Sequence, residues 1–118
     1  MRHMLIVEDE PEVCKTLQEF FSTRQFLVTT AFSGEEALAR LRDGPVDVLL
    51  LDILLPGING LEVLKVARRS YPGAKIIVMS GLEDDRLQEE ARQSGADDFV
   101  RKPFDLSDQT WSAILQPT

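Results

Sequence analysis

The chain has 118 residues, 43% of them hydrophobic and 28% charged, which fits one globular domain. Its formal net charge of −7 argues against direct contact with nucleic acid, because such contacts need lysine and arginine to neutralise phosphates. No apolar run approaches the roughly 20 residues that span a bilayer, so no membrane segment is predicted.

Cysteine usage bears on the compartment. The single cysteine, Cys14, leaves no partner for an internal disulfide, and the N-terminus lacks the basic-then-apolar pattern of a secretory signal. We therefore expect a reducing, cytoplasmic location. Cys14 lies near Leu17 and Phe21 on a predicted helix, which favours a small core residue.

Apolar runs and helical spacings alternate along the chain. Runs rich in apolar and β-branched residues predict strands at 3–8, 26–31, 46–52, 74–80 and 96–100. Apolar residues at helical spacing predict helices at 11–24, 33–43, 60–70, 83–95 and from about Asp105 onward. Ser33 with Glu36 forms a capping-box signature at the second helix. The alternation implies right-handed crossovers and a mostly parallel sheet with helices on both faces.

Polar groups lie at the ends of four of the five predicted strands. The first strand ends in Glu8 and Asp9, the third in Asp52, the fourth in Ser80 followed by Gly81, and the fifth is followed by Lys102 and Pro103. Because ligands bind at the carboxyl ends of parallel strands, we expect these groups to form one site.

The charges of this site need a cation. Two like charges about 4 Å apart repel by about 4 kcal/mol at an effective dielectric of 20, and Lys102 supplies only one positive charge. Oxygen ligands of this kind suit Mg²⁺. A carboxylate can also act as a nucleophile and form an aspartyl phosphate, whose oxygens Lys102, Ser80 and backbone N–H groups would stabilise.

Each of these residues also has a plain structural interpretation. Glu8 and Asp9 could be a solvated helix start before Pro11, Asp52 a turn residue and Ser80 an ordinary loop residue. The coincidence at four strand ends favours the site.

Four segments carry a family resemblance: "LIVEDE", "DVLLLDILLPGINGLEVL", "IIVMSG" and "GADDFVRKPF". In their order and spacing, from about residue 4 to about 106, the chain resembles the receiver domain of two-component response regulators. The resemblance implies an α/β, flavodoxin-like (βα)5 three-layer sandwich with a parallel five-stranded sheet in the order 2-1-3-4-5. It also implies that residues 1–118 form a single receiver domain, which can be part of a longer regulator.

The resemblance assigns the acidic residues to a phosphorylation site. Asp52 matches the phosphoacceptor. Asp9 matches a direct Mg²⁺ ligand, Glu8 a ligand acting through water, and Leu54 a ligand through its backbone carbonyl.

Further residues match the phosphoryl-binding and switch positions. Ser80, Gly81 and Lys102 match the groups that bind the phosphoryl oxygens, and Ser80 with Phe99 matches the conformational switch. Pro103 matches a structural position whose preceding peptide bond is often cis in the family.

The chain departs from the family pattern at several positions. Ser80 stands in place of the commoner threonine and keeps the hydroxyl group, whereas Phe99 replaces a frequent tyrosine and lacks one. Asn59 stands where aspartate is frequent, and we expect only a turn role. Gln109 interrupts the apolar face of the last helix, which puts dimerisation through that helix in doubt. For His3 we expect a surface position without a catalytic role.

The resemblance implies a signalling phosphoacceptor, with self-catalysed phosphotransfer and autodephosphorylation only, and not an enzyme. A sensor histidine kinase or phosphotransfer protein would phosphorylate Asp52. The fourth helix, fifth strand and fifth helix would then act on a downstream effector domain or protein, or form a phosphorylation-dependent homodimer.

Three other functions are weaker alternatives. A Mg²⁺-dependent phosphohydrolase with an aspartyl nucleophile usually has a second acid two residues later, where this chain has Leu54. A flavin-binding module would need a phosphate loop where residues 8–12 are acidic. A receiver that cannot be phosphorylated would lack key groups that are all present here.

Overall fold

The predicted parallel sheet is confirmed. In the computed structural model, which describes residues 1–81, 85–102, 106–107, 111–112 and 115, five parallel strands pair in the order β2-β1-β3-β4-β5. The strands are β1 (Arg2–Val7), β2 (Phe26–Ala31), β3 (Val48–Asp52), β4 (Lys75–Ser80) and β5 (Asp98–Arg101). The helices are α1 (Pro11–Ser22), α2 (Gly34–Asp43), α3 (Gly60–Ser70) and α4 (Asp85–Gln93).

Alternating side chains of the central strands build two cores, one on each face of the sheet. Leu5, Leu49 and Ile76 belong to the core that α2, α3 and α4 cover. Met4, Leu50 and Ile77 belong to the core that α1 and Trp111 cover. All six strand residues are fully buried. Because successive side chains of a strand point to opposite faces, a continuous apolar run can fill both cores, which makes the three layers of the predicted sandwich.

Side chains at the helix starts confirm one prediction and refine another. Ser33 Oγ accepts a hydrogen bond from the Glu36 N–H at 3.1 Å, so Ser33 caps α2 as the signature predicts. The Glu36 carboxylate accepts from the Phe32 N–H at 2.9 Å and not from the Ser33 N–H, so it closes the box one residue earlier. Asn59, expected only in a turn, is also the N-cap of α3, and its Oδ1 accepts from the Leu61 N–H at 2.9 Å.

The α1 side of the sheet holds the predicted core cysteine. Cys14 is 2% exposed, and burial together with the charges of Glu8 and Glu36 raises the pKa of its thiol to about 11. Trp111 is also buried and packs edge-on against Phe21, with ring centroids 5.1 Å apart. The residues predicted to begin and interrupt the last helix, Asp105 and Gln109, lie outside the described residues.

Helix α4 is anchored by few apolar groups. Ala91 is its buried residue, and Leu87 packs only partly against the core. The helix ends at Gln93, two residues before the predicted end, and its predicted start at 83 lies outside the described part of the chain. None of the helices in that part combines the length and apolar character that crossing a bilayer requires.

Arg68 joins three elements at the amino end of the sheet. From the last turn of α3, its guanidinium donates to the carbonyls of Pro72 and Ala74 before β4, at 2.8 and 2.9 Å. It also donates to the Gly95 carbonyl after α4, at 2.7 and 3.0 Å, and to the carboxylate of Asp97 at 2.7 Å. These bonds fix the C-terminal end of α4 to α3.

His3 is more enclosed than expected. It is half-buried, with Nε2 2.8 Å from Thr29 Oγ1 and Nδ1 3.0 Å from the Pro45 carbonyl oxygen. Its backbone N–H donates to Asp47 Oδ2 at 2.7 Å. The side chain therefore also connects β2 to the segment before β3, which the expected surface position did not include.

Gly60 permits a close approach between α3 and the end of β3. A Cβ atom at this position would lie against the backbone oxygen of Ile53 and 2.7 Å from its Cα, so backbone atoms would have to move. We expect Gly60→Ala to lower the free energy of unfolding by about 1–3 kcal/mol, the usual cost of overpacking. Urea denaturation measures the loss. Gly73→Ala is the matched control, because a Cβ there meets nothing within 4 Å; equal stability losses would contradict the explanation.

Candidate functional site

The ends of four strands bring the predicted site residues to one edge of the sheet. Val7 pairs with Leu51, so Glu8 and Asp52 are the next residues of neighbouring strands. On the far side of β3, Asp52 pairs with Met79, the residue before Ser80. The Lys102 N–H donates to the Ser80 carbonyl at 2.9 Å and brings the end of β5 to the same edge.

Three carboxylates meet there. Each of Glu8, Asp9 and Asp52 offers an oxygen, and these oxygens all lie within 4.8 Å of one another. Glu8 is fully buried and Asp52 is 4% exposed, whereas Asp9 is exposed to solvent. The group therefore combines two acids in the protein interior with one at the surface, which suits a cation that arrives from solvent.

Lys102 is the positive charge among these acids. Its Nζ lies 2.8 Å from Asp52 Oδ2, to which it donates a hydrogen bond, and 2.7 Å from Glu8 Oε2. The second contact is an ion pair, and Glu8 Oε2 has no assigned hydrogen-bond partner among the described residues. One ammonium group therefore bridges two buried carboxylates.

The charges and burial of the site shift two pKa values. Burial raises the pKa of Glu8 and the charge of Asp52 adds to the rise, while the contact with Lys102 opposes it. Burial by itself would lower the pKa of Lys102, but its contacts with Asp52 and Glu8 outweigh that effect and raise the pKa. Lys102 therefore stays charged at neutral pH.

The backbone after Asp52 helps to orient this side chain. The Leu54 N–H donates to Asp52 Oδ1 at 3.0 Å, while Lys102 occupies Oδ2. Both carboxylate oxygens of Asp52 are thus held from different sides. The Leu54 side chain is 47% exposed, so the position two residues after Asp52 presents an apolar group to solvent and no acid.

The predicted switch residues lie on neighbouring strands. Ser80 is fully buried at the end of β4, with the exposed Gly81 directly after it. Phe99 on β5 pairs with Val78 and packs partly against the core on the α4 side. It also lines a groove of about 420 Å³ between α4 and β5. Pro103, predicted to be structural, lies outside the described residues.

Glu10 also contacts the site, which the sequence analysis did not predict. Its Oε1 lies 3.6 Å from Lys102 Nζ, and its backbone N–H donates to Glu8 Oε1 at 3.2 Å. The sequence did contain a signal for this contact, because residues 8–10 are three consecutive acids and only Glu8 and Asp9 were assigned a role.

Comparison with known proteins decides the family. The model of the response regulator receiver domain matches residues 4–111. The chain belongs to the response regulator receiver domain family. The family prediction is thereby confirmed, and the comparisons give no support to a phosphohydrolase.

Related receiver proteins agree in sequence and in fold. The response regulator SaeR of Staphylococcus aureus strain USA300 is 35% identical over 104 residues, which are 88% of this chain and 45% of SaeR. The chain thus spans a little under half the length of this curated relative. The Thermotoga maritima response regulator TrrA, solved in complex with Mg²⁺-BeF, is 32% identical with a TM-score of 0.82, over 96% of each chain. A CheY-like receiver domain protein from Methanospirillum hungatei is 26% identical with a TM-score of 0.89, over 96% of this chain and 90% of that one.

Proposed function

We propose that this receiver domain accepts a phosphoryl group on Asp52 in a Mg²⁺-dependent reaction. The donor is a sensor histidine kinase or a phosphotransfer protein. The observation that carries the proposal is the meeting of Glu8, Asp9 and Asp52 within 4.8 Å, with Lys102 hydrogen-bonded to Asp52. The Mg²⁺-BeF complex of TrrA supports it by similarity.

The residues at this edge fit Mg²⁺. All three side chains that could ligate the ion are carboxylates, and Mg²⁺ prefers oxygen ligands of this kind. Among the described residues, buried Glu8 Oε2 accepts no hydrogen bond, so its lone pairs are available. Asp9, Asp52 and the Leu54 carbonyl would hold the ion, with Glu8 acting through water. When bound, Mg²⁺ would neutralise negative charge on the phosphoryl oxygens.

The chain's own groups position the transfer. An Asp52 oxygen attacks phosphorus, and the bond from phosphorus to the donor's imidazole nitrogen breaks, with its electron pair leaving on the imidazole. Lys102 and the Leu54 N–H already contact Asp52, so they lie beside the phosphoryl group as it arrives. The Ser80 hydroxyl and the Gly81 N–H complete the set of donors. Lys102 and the Leu54 N–H are in place before the reaction, so these two donors need no reorganisation during it.

Acetyl phosphate tests the proposal without a kinase. In the presence of Mg²⁺, the protein should gain the mass of one phosphoryl group by intact mass spectrometry, with acetate as the leaving group. With EDTA in place of Mg²⁺ the gain should disappear. An unmodified mass in both conditions would refute the proposal, and steady turnover of a phosphate ester at enzymatic rates would favour a phosphohydrolase.

Ser80 and Phe99 would transmit phosphorylation of Asp52 to the surface formed by α4 and β5. Phosphorylation draws the Ser80 hydroxyl toward the new phosphoryl oxygens, and Phe99, which has no hydroxyl group, follows by packing into the freed space. Beryllofluoride with Mg²⁺ should therefore shift the amide signals of residues 85–102 in a ¹H–¹⁵N spectrum, more strongly than those of α1. Unchanged signals in β5 would contradict a role for Phe99.

Output and location are part of the same proposal. Since the chain spans under half of SaeR, we propose that it acts on an effector domain or a separate effector protein, with phosphorylation-dependent homodimerisation as one route. In this role it is a phosphoacceptor whose only chemistry is self-catalysed phosphotransfer and autodephosphorylation. The cytoplasmic location stays a prediction from the lone Cys14.

A further inference from the structure

Lys102 is shared by three carboxylates. Its Nζ lies 2.7 Å from Glu8 Oε2, 2.8 Å from Asp52 Oδ2 and 3.6 Å from Glu10 Oε1. Glu8 and Asp52 are also two of the three acids that could hold a metal ion. The ammonium group and a divalent cation therefore compete for the same two buried carboxylates. A partner that draws Lys102 away from these oxygens would favour the cation.

Glu10 is placed to be that partner. It is the N-cap residue of α1, yet its side chain makes no capping hydrogen bond and lies near Lys102 instead. The hydrogen bond from its backbone N–H to Glu8 fixes the residue beside the site. The Glu10 side chain is 64% exposed and that of Lys102 only 18%, so Glu10 offers the ammonium group a position closer to solvent.

We propose that Glu10 is a positioning residue for Lys102, which draws the ammonium group from Glu8 and Asp52 and so strengthens Mg²⁺ binding by these carboxylates. The inference rests on the proposed function in that the carboxylates must hold Mg²⁺. Ion pairs as exposed as that of Glu10 are weak, so we expect an effect of about two- to fivefold on the Mg²⁺ dissociation constant.

A double-mutant cycle separates this role from a general effect of charge. Calorimetry with Mg²⁺ alone would compare the wild type, Glu10→Gln, Lys102→Met and the double variant. We expect Glu10→Gln to weaken Mg²⁺ binding about two- to fivefold more in the wild-type background than in the Lys102→Met background. Glu12→Gln removes the same charge from the first turn of α1, and its effect should be equal in both backgrounds.

The outcomes decide the inference in either direction. An equal effect of Glu10→Gln in both backgrounds would overturn it. If Lys102→Met does not fold, Glu10→Asp replaces the cycle, because it keeps the charge but is one methylene too short to reach Lys102. Weaker Mg²⁺ binding by Glu10→Asp supports the inference, and unchanged binding overturns it.

The same data distinguish failure of this inference from failure of the proposed function. If the wild type binds Mg²⁺ and accepts a phosphoryl group but the cycle shows no coupling, only the role of Glu10 is wrong. If the wild type binds no Mg²⁺, both proposals fall.

Discussion

Asp52→Asn is expected to abolish phosphoryl uptake from acetyl phosphate. The amide has nearly the shape of the carboxylate, and its oxygen can still accept the hydrogen bond from the Leu54 N–H. It lacks the anionic oxygen that must attack phosphorus, and its amide nitrogen cannot accept the hydrogen bond that Lys102 donates to Asp52 Oδ2. The substitution therefore removes the nucleophile together with the lysine contact. Intact mass spectrometry with Mg²⁺ and acetyl phosphate should show one added phosphoryl group on the wild type and none on the variant.

The control for this prediction is Asp43→Asn. Asp43 is an exposed residue at the C-terminal end of α2, so its substitution removes the same charge from a surface position. This variant should be phosphorylated like the wild type. Full phosphorylation of Asp52→Asn would place the phosphoacceptor at another residue, and loss of phosphorylation in both variants would point to a general effect of charge.

Lys102→Met is expected to cause the largest change in stability. It removes the ammonium group that bridges Glu8 and Asp52, whose side chains are 0% and 6% exposed. Removing one partner of a buried pair typically costs about 3–5 kcal/mol, because a buried charge is left without compensation. Urea denaturation at pH 7 should show a loss of this size. Mg²⁺ should restore part of it and raise the melting temperature of the variant more than that of the wild type.

The pH dependence of the same variant has a definite sign. The pKa of Glu8 is raised on folding by burial, so the folded state binds protons more readily than the unfolded chain, and Glu8 favours folding as the pH falls. The contact with Lys102 opposes this shift, so Lys102→Met raises the pKa of Glu8 further. The stability gap between variant and wild type should therefore narrow as the pH falls below neutral. A gap that widens on acidification would show that Glu8 is not the group responsible.

The architecture was predictable because its signals are local. Short stretches of sequence define single elements: the buried run Val48–Asp52 marks a strand, and the cap at Ser33 marks the start of a helix. The alternation of strands and helices then limits the possible topologies. The convergence of Glu8, Asp52 and Lys102 followed from the topology, because a parallel sheet brings its carboxyl ends to one edge.

Long side chains and close backbone contacts were not predictable in this way. The directions taken by Glu10 and Arg68 depend on several torsions each, which no periodicity reports. The hydrogen bonds of His3 depend on a neighbour from β2 and another from before β3, both distant in sequence. The helix start at Gly60 was predictable, but the steric role of this glycine depends on the position of Ile53.

The hydrogen bonds of Arg68 have a consequence for how α4 can move. They hold the Gly95 carbonyl just beyond the C-terminal end of the helix, while the body of α4 rests mainly on Ala91 and Leu87. One end is thus tethered by polar bonds, and Ala91 and Leu87 supply apolar contacts along the rest. A helix restrained in this way rotates about its tethered end more readily than it slides along the sheet. Its greatest displacement then falls at the N-terminal end, nearest the carboxyl edge where Ser80 and Lys102 lie.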